Sequence, residues 1–378
     1  MDIKEFQAGI FIPQYQYKSF LPEKIDKEWI VSDPLTNKLL EEANFKLGEL
    51  NAFSLIVPDI DLFIRMHIVK EATTSSRIEG TQTQIDEAVL KEKDINPGKK
   101  NDWLKVQNYI AAMNSAVESL SSLPVSSRLI KQAHKILLEN TRGEYKLPGE
   151  YRTSQNWIGG ITIKDAVFVP PHHNDLPELL SDLENFLNNH QINIPHLIKV
   201  AIAHYQFETI HPFLDGNGRV GRLLITLYLV ANNLLSKPTL YLSDFFEKNK
   251  QLYYDNLSIV RTHNNLTQWI HYFLSAVIQT ASNGIMTFQK VLKLRQEIEE
   301  IKLLSLGRKI PLAKQTVNYL YKNPVISSGN LVEELKITKP TANAIIRDLV
   351  NLNILKDFTG FKRNRFYIFE DYISLFRK

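Results

Sequence analysis

The stretch HPFLDGNGRVGR, residues 211–222, decides the fold because it joins two helix-like segments. Before it, Pro195 to Ile210 repeats apolar residues at helical spacing, and after it Leu223 to Val230 is apolar nearly all round, as in a buried helix. The junction contains a histidine, an aspartate, three glycines, an asparagine and two arginines. Groups that suit phosphate chemistry are therefore concentrated where one predicted helix ends and the next begins.

Each residue type in this junction suits the binding or the attack of a polyphosphate. The run Gly216–Gly218 lets backbone N–H groups point inward without a clashing Cβ, which predicts an anion nest at the start of the second helix. Arg219 and Arg222 lie on neighbouring helical positions and can contact the same anion. Asp215 offers an oxygen of the kind that phosphate-bound Mg²⁺ takes from proteins. His211 carries an imidazole, the usual general base near neutral pH.

Two structural alternatives compete with this interpretation. The first is a plain Gly/Asn turn with solvated arginines, which the combination of residue types disfavours. The second is a P-loop, which is excluded because the chain contains no Gly-x-x-x-x-Gly-Lys-Ser/Thr.

The stretch resembles the signature of the Fic (filamentation induced by cAMP) family, His-Pro-Phe-x-Asp/Glu-Gly-Asn-Gly-Arg-x-x-Arg, at every fixed position. This resemblance implies an enzyme that moves AMP from ATP to a protein hydroxyl. His211 would deprotonate a target Ser, Thr or Tyr, and Asp215 would hold Mg²⁺ at the α- and β-phosphates. Arg219 would support the leaving pyrophosphate, and Arg222 would bind the γ-phosphate. The implied nucleotide contacts are Glu79, His211, Gly216, Asn217, Gly218, Arg219, Val220, Gly221, Arg222 and Tyr253.

Tyr253 enters that set through a tyrosine pair, Tyr253-Tyr254, since relatives often place one such ring against the adenine. Aromatic residues at helical spacing are also common in plain cores, so core packing remains the alternative. The same choice applies to His134, which we interpret as a packed or surface group. The pair His172-His173 with Asp175 could suggest a metal site, but adjacent loop histidines are more often exposed polar residues.

A second helix is predicted from about residue 59 to Glu79, with Gly80 as its stop signal. A carboxylate at a helix C-terminus is unfavourable against the helix dipole, so a nearby guanidinium is expected to hold Glu79. The stretch Ser75–Gly80 also resembles the inhibitory pattern Ser/Thr-x-x-x-Glu-Gly/Asn of the Fic family. By that resemblance Glu79 would pair with Arg222 and block the γ-phosphate site from an N-terminal helix.

Residues 156–171 predict two short strands around a tight connection, and an isolated hairpin offers an edge to an incoming peptide. In Fic proteins a hairpin at this place is the flap that aligns the target. A purely structural hairpin is the alternative. The predicted target-binding residues of the flap are Trp157, Ile158, Gly159, Gly160, Phe168 and Val169.

Residues 310–378 change in composition and resemble a winged helix-turn-helix, with three helices followed by two strands around Thr359-Gly360. Basic and polar side chains on its third helix and in its wing could meet DNA phosphates: Lys339, Asn343, Arg347, Lys362, Arg363 and Arg365. A winged helix that contacts protein or forms a dimer is equally consistent with the sequence.

The composition of the chain is that of a globular protein, with 378 residues, 44% hydrophobic and 23% charged. A net charge of +4 permits nucleic-acid contact without arguing for it. The lack of cysteine excludes disulfides and thiolate metal sites. No signal peptide or run of about 18 apolar residues is found, so we predict a cytoplasmic protein with no membrane partner.

The predicted fold is mainly α, with a Fic-type helical core, a small β-hairpin flap and a C-terminal winged helix. The predicted domains are an N-terminal helical region at 1–100 with the inhibitory helix, a catalytic core at 101–305 and the winged helix at 310–378. The predicted function is a protein adenylyltransferase that uses ATP and Mg²⁺, restrained by Glu79. Hydrolytic removal of AMP, another nucleotide donor and a DNA-binding regulator with a nucleotide-sensing core remain alternatives, and the resemblance implies a homodimer.

Overall fold

The computed structural model describes residues 1–56, 60–358 and 365–377, with the side chains of Ile56 and Leu62 left out. The chain is mainly helical, with small sheets, as the sequence predicts. No helix in the part of the chain that the structure describes combines the length and apolarity that a membrane crossing needs.

The helices surround a central antiparallel pair, α7 and α8, which carries the 211–222 junction. In chain order they are α1 Pro34–Ile56, α2 Ile60–Ile78, α3 Ile85–Ala88, α4 Lys100–Ser119, α5 Ser127–Leu138, α6 Leu176–Asn188, α7 His196–Ile210, α8 Asn217–Ala231, α9 Ser243–Lys248, α10 Lys250–His263, α11 Leu266–Glu300, α12 Ile310–Lys322, α13 Ser328–Leu335, α14 Lys339–Asn351 and α15 Glu370–Arg377.

The central pair is buried because its residues are apolar or paired on nearly every side. From Leu197 to Ile210 every residue of α7 is buried, and α8 is buried from Val220 to Leu229. Helix α7 ends where His211 adopts a left-handed conformation with φ 49°, and Pro212 follows it. Helix α8 begins after Gly216, whose φ is 81°, a conformation that glycine adopts without strain. His211 and Gly216, both with positive φ, therefore reverse the direction of the chain between α7 and α8.

The strands form two small sheets. Strands β1 Gly9–Pro13 and β2 Lys18–Pro22 make an antiparallel hairpin in the N-terminal region, where the sequence predicts only packing aromatics. Strands β3 Val325–Ser327, β4 Lys356–Asp357 and β5 Phe366–Ile368 form a sheet of order β3-β5-β4, in which both pairings are antiparallel.

The prediction of two strands at 156–171 is wrong. The structure has a single antiparallel bridge, Ile158 with Phe168, and a short 3-10 turn at Ile163–Asp165 between them. Gly159 and Gly160 have φ values of 69° and 72°, so the chain turns immediately after the bridge. The carboxylate of Asp165 accepts the backbone N–H groups of Ile161 and Thr162 at 2.7 Å, which satisfies them locally instead of through a strand ladder.

Helix α2 matches the predicted inhibitory helix within two residues, and Gly80 follows it with φ 94°. The helix is more buried than its polar sequence suggests, since Ser75 and Ser76 are both fully enclosed. It packs against α4, α8, α9, α12 and α15. The polar end of α2 therefore lies inside the protein, next to α8.

The C-terminal segment has helices α12, α13 and α14 near the positions where the sequence predicts three helices. It packs on α2 through two aromatic contacts, Phe63 with Tyr321 at 5.5 Å and His67 with Phe376 at 5.1 Å between ring centroids. The sequence analysis missed α15, which provides Phe376. The predicted wing turn at 359–360 and the basic residues Lys362 and Arg363 lie outside the described residues.

Candidate active site

The catalytic candidate His211 lies at the C-terminal end of α7 with its ring held in one orientation. Its Nδ1 lies 3.3 Å from the carbonyl oxygen of Glu208, one turn earlier. A carbonyl only accepts, so Nδ1 carries the hydrogen and Nε2 keeps its lone pair. Burial lowers the pKa of His211 to about 4. The imidazole is therefore neutral near pH 7 and has a basic nitrogen available.

The backbone at His211 is clamped by Arg152, a buried residue that the sequence analysis did not single out. Its Nε donates to the carbonyl of His211 at 3.0 Å, and its Nη2 donates to that of Pro171 at 2.6 Å. The amide of Asn156 adds a hydrogen bond to the carbonyl of Phe213 at 2.9 Å. The flap and the catalytic turn are thus tied to the same guanidinium. A buried arginine of this kind has no sequence signature, because its partners are backbone carbonyls.

The junction 213–217 is closed by the side chain of Asn217. Its Oδ1 accepts the N–H of Phe213 and its Nδ2 donates to the carbonyl of the same residue, both at 2.8 Å. The side-chain amide of Asn217 is thus engaged in closing the turn. Its predicted contact with a phosphate could therefore come only from its backbone N–H. The first N–H groups of α8 have no partner within the helix and point toward the site, as at any helix start.

His134 supports the same turn from α5, and the sequence analysis missed this role. Its ring stacks on Phe213 with centroids 3.7 Å apart. Nδ1 accepts the N–H of Gly149 at 2.9 Å, so Nε2 carries the hydrogen and donates to the carbonyl of Asp215 at 2.9 Å. Burial lowers the pKa of His134 to about 4, which keeps this tautomer neutral. The sequence predicted a packed or surface group, and the contact of His134 with Asp215 depends on tertiary structure.

Arg219 is the group that best fits a bound anion. It is only 4% exposed, yet its Nε and Nη1 have no hydrogen-bond partner among the described residues. Its Nη2 lies 3.6 Å from Oδ1 of Asp215, whose side chain is half exposed. Buried donors left without a partner are costly, and a phosphate would satisfy them.

The oxygen ligands at the site also suit a Mg²⁺ ion that is bound by the protein and by the phosphates of a nucleotide together. Asp215 offers one accessible carboxylate beside the nest, and Mg²⁺ on a phosphate needs only one or two protein ligands. No group of three or more His, Cys, Asp or Glu that could hold a metal by itself occurs in the described ranges.

Glu79 and Arg222 are brought together at the end of α2. Oε1 of Glu79 lies 2.7 Å from Nη2 of Arg222, which is 3% exposed. Ser75 accepts from the same guanidinium through its hydroxyl at 2.8 Å and its carbonyl at 3.0 Å. Burial alone would raise the pKa of Glu79, but the charge of Arg222 outweighs it and holds this pKa below its ordinary value.

The carboxylate of Glu79 occupies the space next to the glycine-rich turn. A Cβ on Gly218 would lie 2.3 Å from Oε1 of Glu79. The anion nest at the start of α8 therefore faces a protein carboxylate in this structure. The absence of a side chain at Gly218 leaves room for that carboxylate, or for another anion of similar size.

Three predicted nucleotide contacts face the core instead of the site. Val220 is fully buried, and a Cβ on Gly221 would meet Oε1 of Glu208 on α7 at 2.2 Å. Tyr253 is 1% exposed, and its hydroxyl bonds Nε2 of His204 at 2.8 Å. Gly221 therefore packs against α7, and Tyr253 of α10 bonds to His204 of α7. The exposed ring of the tyrosine pair is Tyr254, at 39%.

The flap exposes some of its predicted target-binding residues and buries others. Trp157 is 41% exposed, whereas Phe168 and Val169 are buried. The carbonyl of Val169 accepts the N–H of Phe20 in β2 at 3.0 Å. Phe168 and Val169 therefore anchor the flap, while its exposed part runs from Trp157 to Val167.

Comparison with known protein families gives two matches, which lie between residues 37 and 229. A model of the N-terminal part of Fic/DOC proteins matches residues 37–118, and a model of the Fic/DOC family itself matches residues 124–229. The second match contains the junction, His134 and the flap. The chain belongs to the Fic/DOC family.

Several relatives share parts of the chain. A probable protein adenylyltransferase of Aquifex aeolicus is 32% identical over 171 residues, which cover 45% of this chain and 50% of the relative. A protein adenylyltransferase Fic of Aedes aegypti is 38% identical over 112 residues, 29% of this chain and 20% of the relative. The chain thus spans half or less of the length of these relatives.

Solved structures show the same fold. A Fic family protein from Desulfovibrio desulfuricans aligns with a TM-score of 0.57 at 20% identity, covering 91% of this chain and 98% of the other. A Fic domain signalling protein from Bacteroides thetaiotaomicron aligns with a TM-score of 0.55 at 17% identity, covering 68% and 97%.

Proposed function

We propose that this protein is a nucleotidyltransferase that moves AMP from ATP to a Ser, Thr or Tyr hydroxyl of a target protein. The observation that carries the proposal is the buried Arg219 near the start of α8. Its Nε and Nη1 have no partner in the part of the chain that the structure describes, and its Nη2 lies 3.6 Å from Oδ1 of Asp215. The names of the relatives as adenylyltransferases support ATP as the donor.

The phosphates of ATP would bind at the start of α8. The N–H groups at Gly216–Gly218 and the free donors of Arg219 would neutralise the β- and γ-phosphates. Asp215 would hold Mg²⁺, which neutralises further phosphate charge when bound. In this geometry the leaving pyrophosphate is stabilised by groups that are already oriented, so no reorganisation is needed during the reaction.

His211 would then act as the general base. Its Nδ1–H bond to Glu208 leaves Nε2 free to take the proton of the target hydroxyl. The hydroxyl oxygen attacks the α-phosphorus, the bond to the bridging oxygen breaks, and pyrophosphate leaves. The proton on Nε2 is afterwards released to solvent, which restores the base.

Glu79 would restrain this reaction. Its carboxylate occupies the guanidinium of Arg222 and the space beside Gly218, where a γ-phosphate would compete with it. We propose that nucleotide can bind productively only when Glu79 moves away. Removal of AMP from a modified target, with the same glutamate orienting water, is a second proposed reaction of this site.

The donor is tested with the four common nucleoside triphosphates. The E79G protein is incubated with each one and Mg²⁺, and mass spectrometry records which nucleotide is added to hydroxyl side chains. We expect AMP from ATP to dominate. If transfer from UTP, GTP or CTP is faster, ATP is not the donor and the protein transfers a nucleotidyl group other than AMP.

The exposed flap is proposed to align the target. A Cβ on Gly160 would lie 2.5 Å from the carbonyl oxygen of Asp165, and its φ of 72° is strained for other residues. In the E79G protein we expect Gly160→Ala to reduce target labelling by about 10- to 100-fold through misplacement of the peptide. ATP affinity, measured by calorimetry, should stay unchanged; equal loss of ATP binding would contradict a target-aligning role.

For the C-terminal segment we propose a winged helix, from the order of α12–α14 and the antiparallel sheet. An open groove beside α14 is lined by the basic side chains Lys93, Lys339 and Arg365, by Asn343 and by the carboxylates Asp94 and Glu333. Charges of both signs therefore meet in this groove, and DNA contact and protein contact stay alternatives. A salt-sensitive gel shift with genomic fragments would favour DNA contact. A homodimer and a cytoplasmic location stay predictions.

A further inference from the structure

Glu208 is a buried residue next to the active site. The proposed mechanism uses only its backbone carbonyl, which orients His211, and assigns no role to its carboxyl group. Its side chain is 8% exposed, and its Oε1 has no hydrogen-bond partner among the residues that the structure describes. The carboxyl lies against Gly221, where a Cβ would approach Oε1 to 2.2 Å. The carboxyl of Glu208 therefore fills the space that a side chain at position 221 would need.

Charged groups on α8, on α10 and at the end of α2 act on the carboxyl of Glu208. Arg222 of α8 and Arg261 of α10 favour its ionised form, whereas Glu79 at the end of α2 disfavours it. Tyr253 of α10 also faces it with a phenol that burial keeps neutral. On α7 itself, His211 is one turn away and neutral. Burial, the largest effect, raises the pKa of Glu208 to about 7.

The arginine near Glu208 is Arg222, which is also the partner of Glu79 in an ion pair. Arg222 carries one positive charge in a buried site, and it needs a nearby negative charge in each state of the protein. Glu79 supplies that charge in this structure. If Glu79 leaves before nucleotide arrives, Glu208 is the nearby carboxyl on α7 that can replace it.

We propose that Glu208 is a positioning residue whose protonation follows the charge bound at Arg222. It is ionised, and serves as the counter-ion of Arg222, when neither Glu79 nor a triphosphate is present. It takes a proton from solvent when either of these anions binds the guanidinium. The inference rests on the proposed function, because the anion that replaces Glu79 is taken to be the triphosphate of ATP.

The direction of the proton change follows from linkage. Glu79 raises the pKa of Glu208, so its removal lowers that pKa and leaves the carboxyl ionised near pH 7. A triphosphate brings negative charge back to the same guanidinium and raises the pKa again. Binding of ATP is therefore accompanied by proton uptake, and ATP affinity falls as the pH rises through the neutral range.

The test is calorimetry of MgATP binding to E79G/H211A protein at pH 7 in buffers that differ in ionisation enthalpy. The H211A substitution removes the other titratable group close to the nucleotide. We expect the observed enthalpy to depend on the buffer, corresponding to uptake of a sizeable fraction of one proton. Adding E208Q should abolish this dependence, because glutamine has the shape of the protonated acid and cannot titrate.

A matched control is Asp182→Asn, which removes a carboxyl that burial also perturbs but that accepts the N–H groups of Ile25 and Asp26 instead. The D182N version should keep the proton uptake of its parent. Where E208Q does not fold, NMR of ¹³C-labelled glutamate carboxyls in the parent gives the same readout. One resonance should titrate near neutral pH and shift on ATP addition.

The outcomes separate the two proposals. ATP binding with equal enthalpy in all buffers, or proton uptake that survives E208Q, would overturn the role of Glu208 and leave the proposed function standing. Failure of ATP to bind the E79G/H211A protein at all would overturn the proposed function, and the inference with it.

Discussion

Replacement of Glu79 by glycine is expected to raise ATP-dependent labelling, including self-labelling, by about 10- to 100-fold. The substitution removes the carboxylate that lies 2.7 Å from Nη2 of Arg222 and fills the space beside Gly218. A hydrogen bond between charged groups contributes about 1.5–3 kcal/mol, which corresponds to about a 10- to 100-fold change in the competition with a γ-phosphate. The measurement is the initial rate of incorporation of labelled AMP, with mass spectrometry of the modified residue.

The matched control for this experiment is Glu247→Gln. Glu247 faces the same end of α2, where it lies 3.6 Å from Nη1 of Arg77, but it is not in contact with the Arg222 guanidinium. A partly exposed pair of this kind is worth little, so E247Q should label like the unmodified protein. If E79G labels no faster than the unmodified protein, the inhibitory role of Glu79 is wrong, whatever its contact with Arg222.

In the E79G protein, His211→Ala is expected to reduce labelling by about 10²- to 10⁴-fold, the usual range for loss of a general base. The ring is oriented for this role by the bond from Nδ1 to the carbonyl of Glu208. Because burial keeps the pKa of His211 near 4, the base stays neutral above that pH and its own protonation should not limit the rate at pH 6–8. The rate of AMP transfer is measured with saturating MgATP.

The control replaces a histidine away from the site. His263 is exposed at the end of α10 and its Nδ1 is bonded to Thr262, so H263A should not alter the rate. Calorimetry should show that the H211A change leaves MgATP affinity within a few-fold of its parent. Retained transfer in the E79G/H211A protein would exclude His211 as the base and direct the search to another acceptor for the hydroxyl proton.

The sequence predicted the helix–turn–helix of the junction because its parts are local. The end of α7 before Pro212, the positive φ of Gly216 and the helix start at Asn217 follow from residue types that are adjacent in the chain. The left-handed φ of His211 does not follow from them, because a residue before proline usually adopts extended backbone. The end of α2 is also local and could be predicted, since Gly80 stops the helix directly after Glu79. Pairing of Glu79 with Arg222 was implied by the family resemblance, whereas the dipole argument implied only a nearby guanidinium.

The flap shows where local reasoning failed. Its residues are mostly β-branched or aromatic, as in strands. However, two glycines with positive φ turn the chain, and the carboxylate of Asp165 satisfies the backbone N–H groups of Ile161 and Thr162 within a few residues. Only one bridge remains, between Ile158 and Phe168. A β pattern therefore did not produce strands, because competing hydrogen bonds close at hand were available.

The sequence by itself determined which groups could bind and attack a phosphate, because those groups lie within twelve consecutive residues. Only the tertiary structure decided which side chains hold them. Arg152 reaches His211 across 59 residues, and Arg222 reaches Glu79 across 143. It also placed Gly221 against Glu208 and turned Tyr253 into the core. The physical reason is that burial and long-range charge pairing depend on how helices pack, which residue type and spacing do not specify.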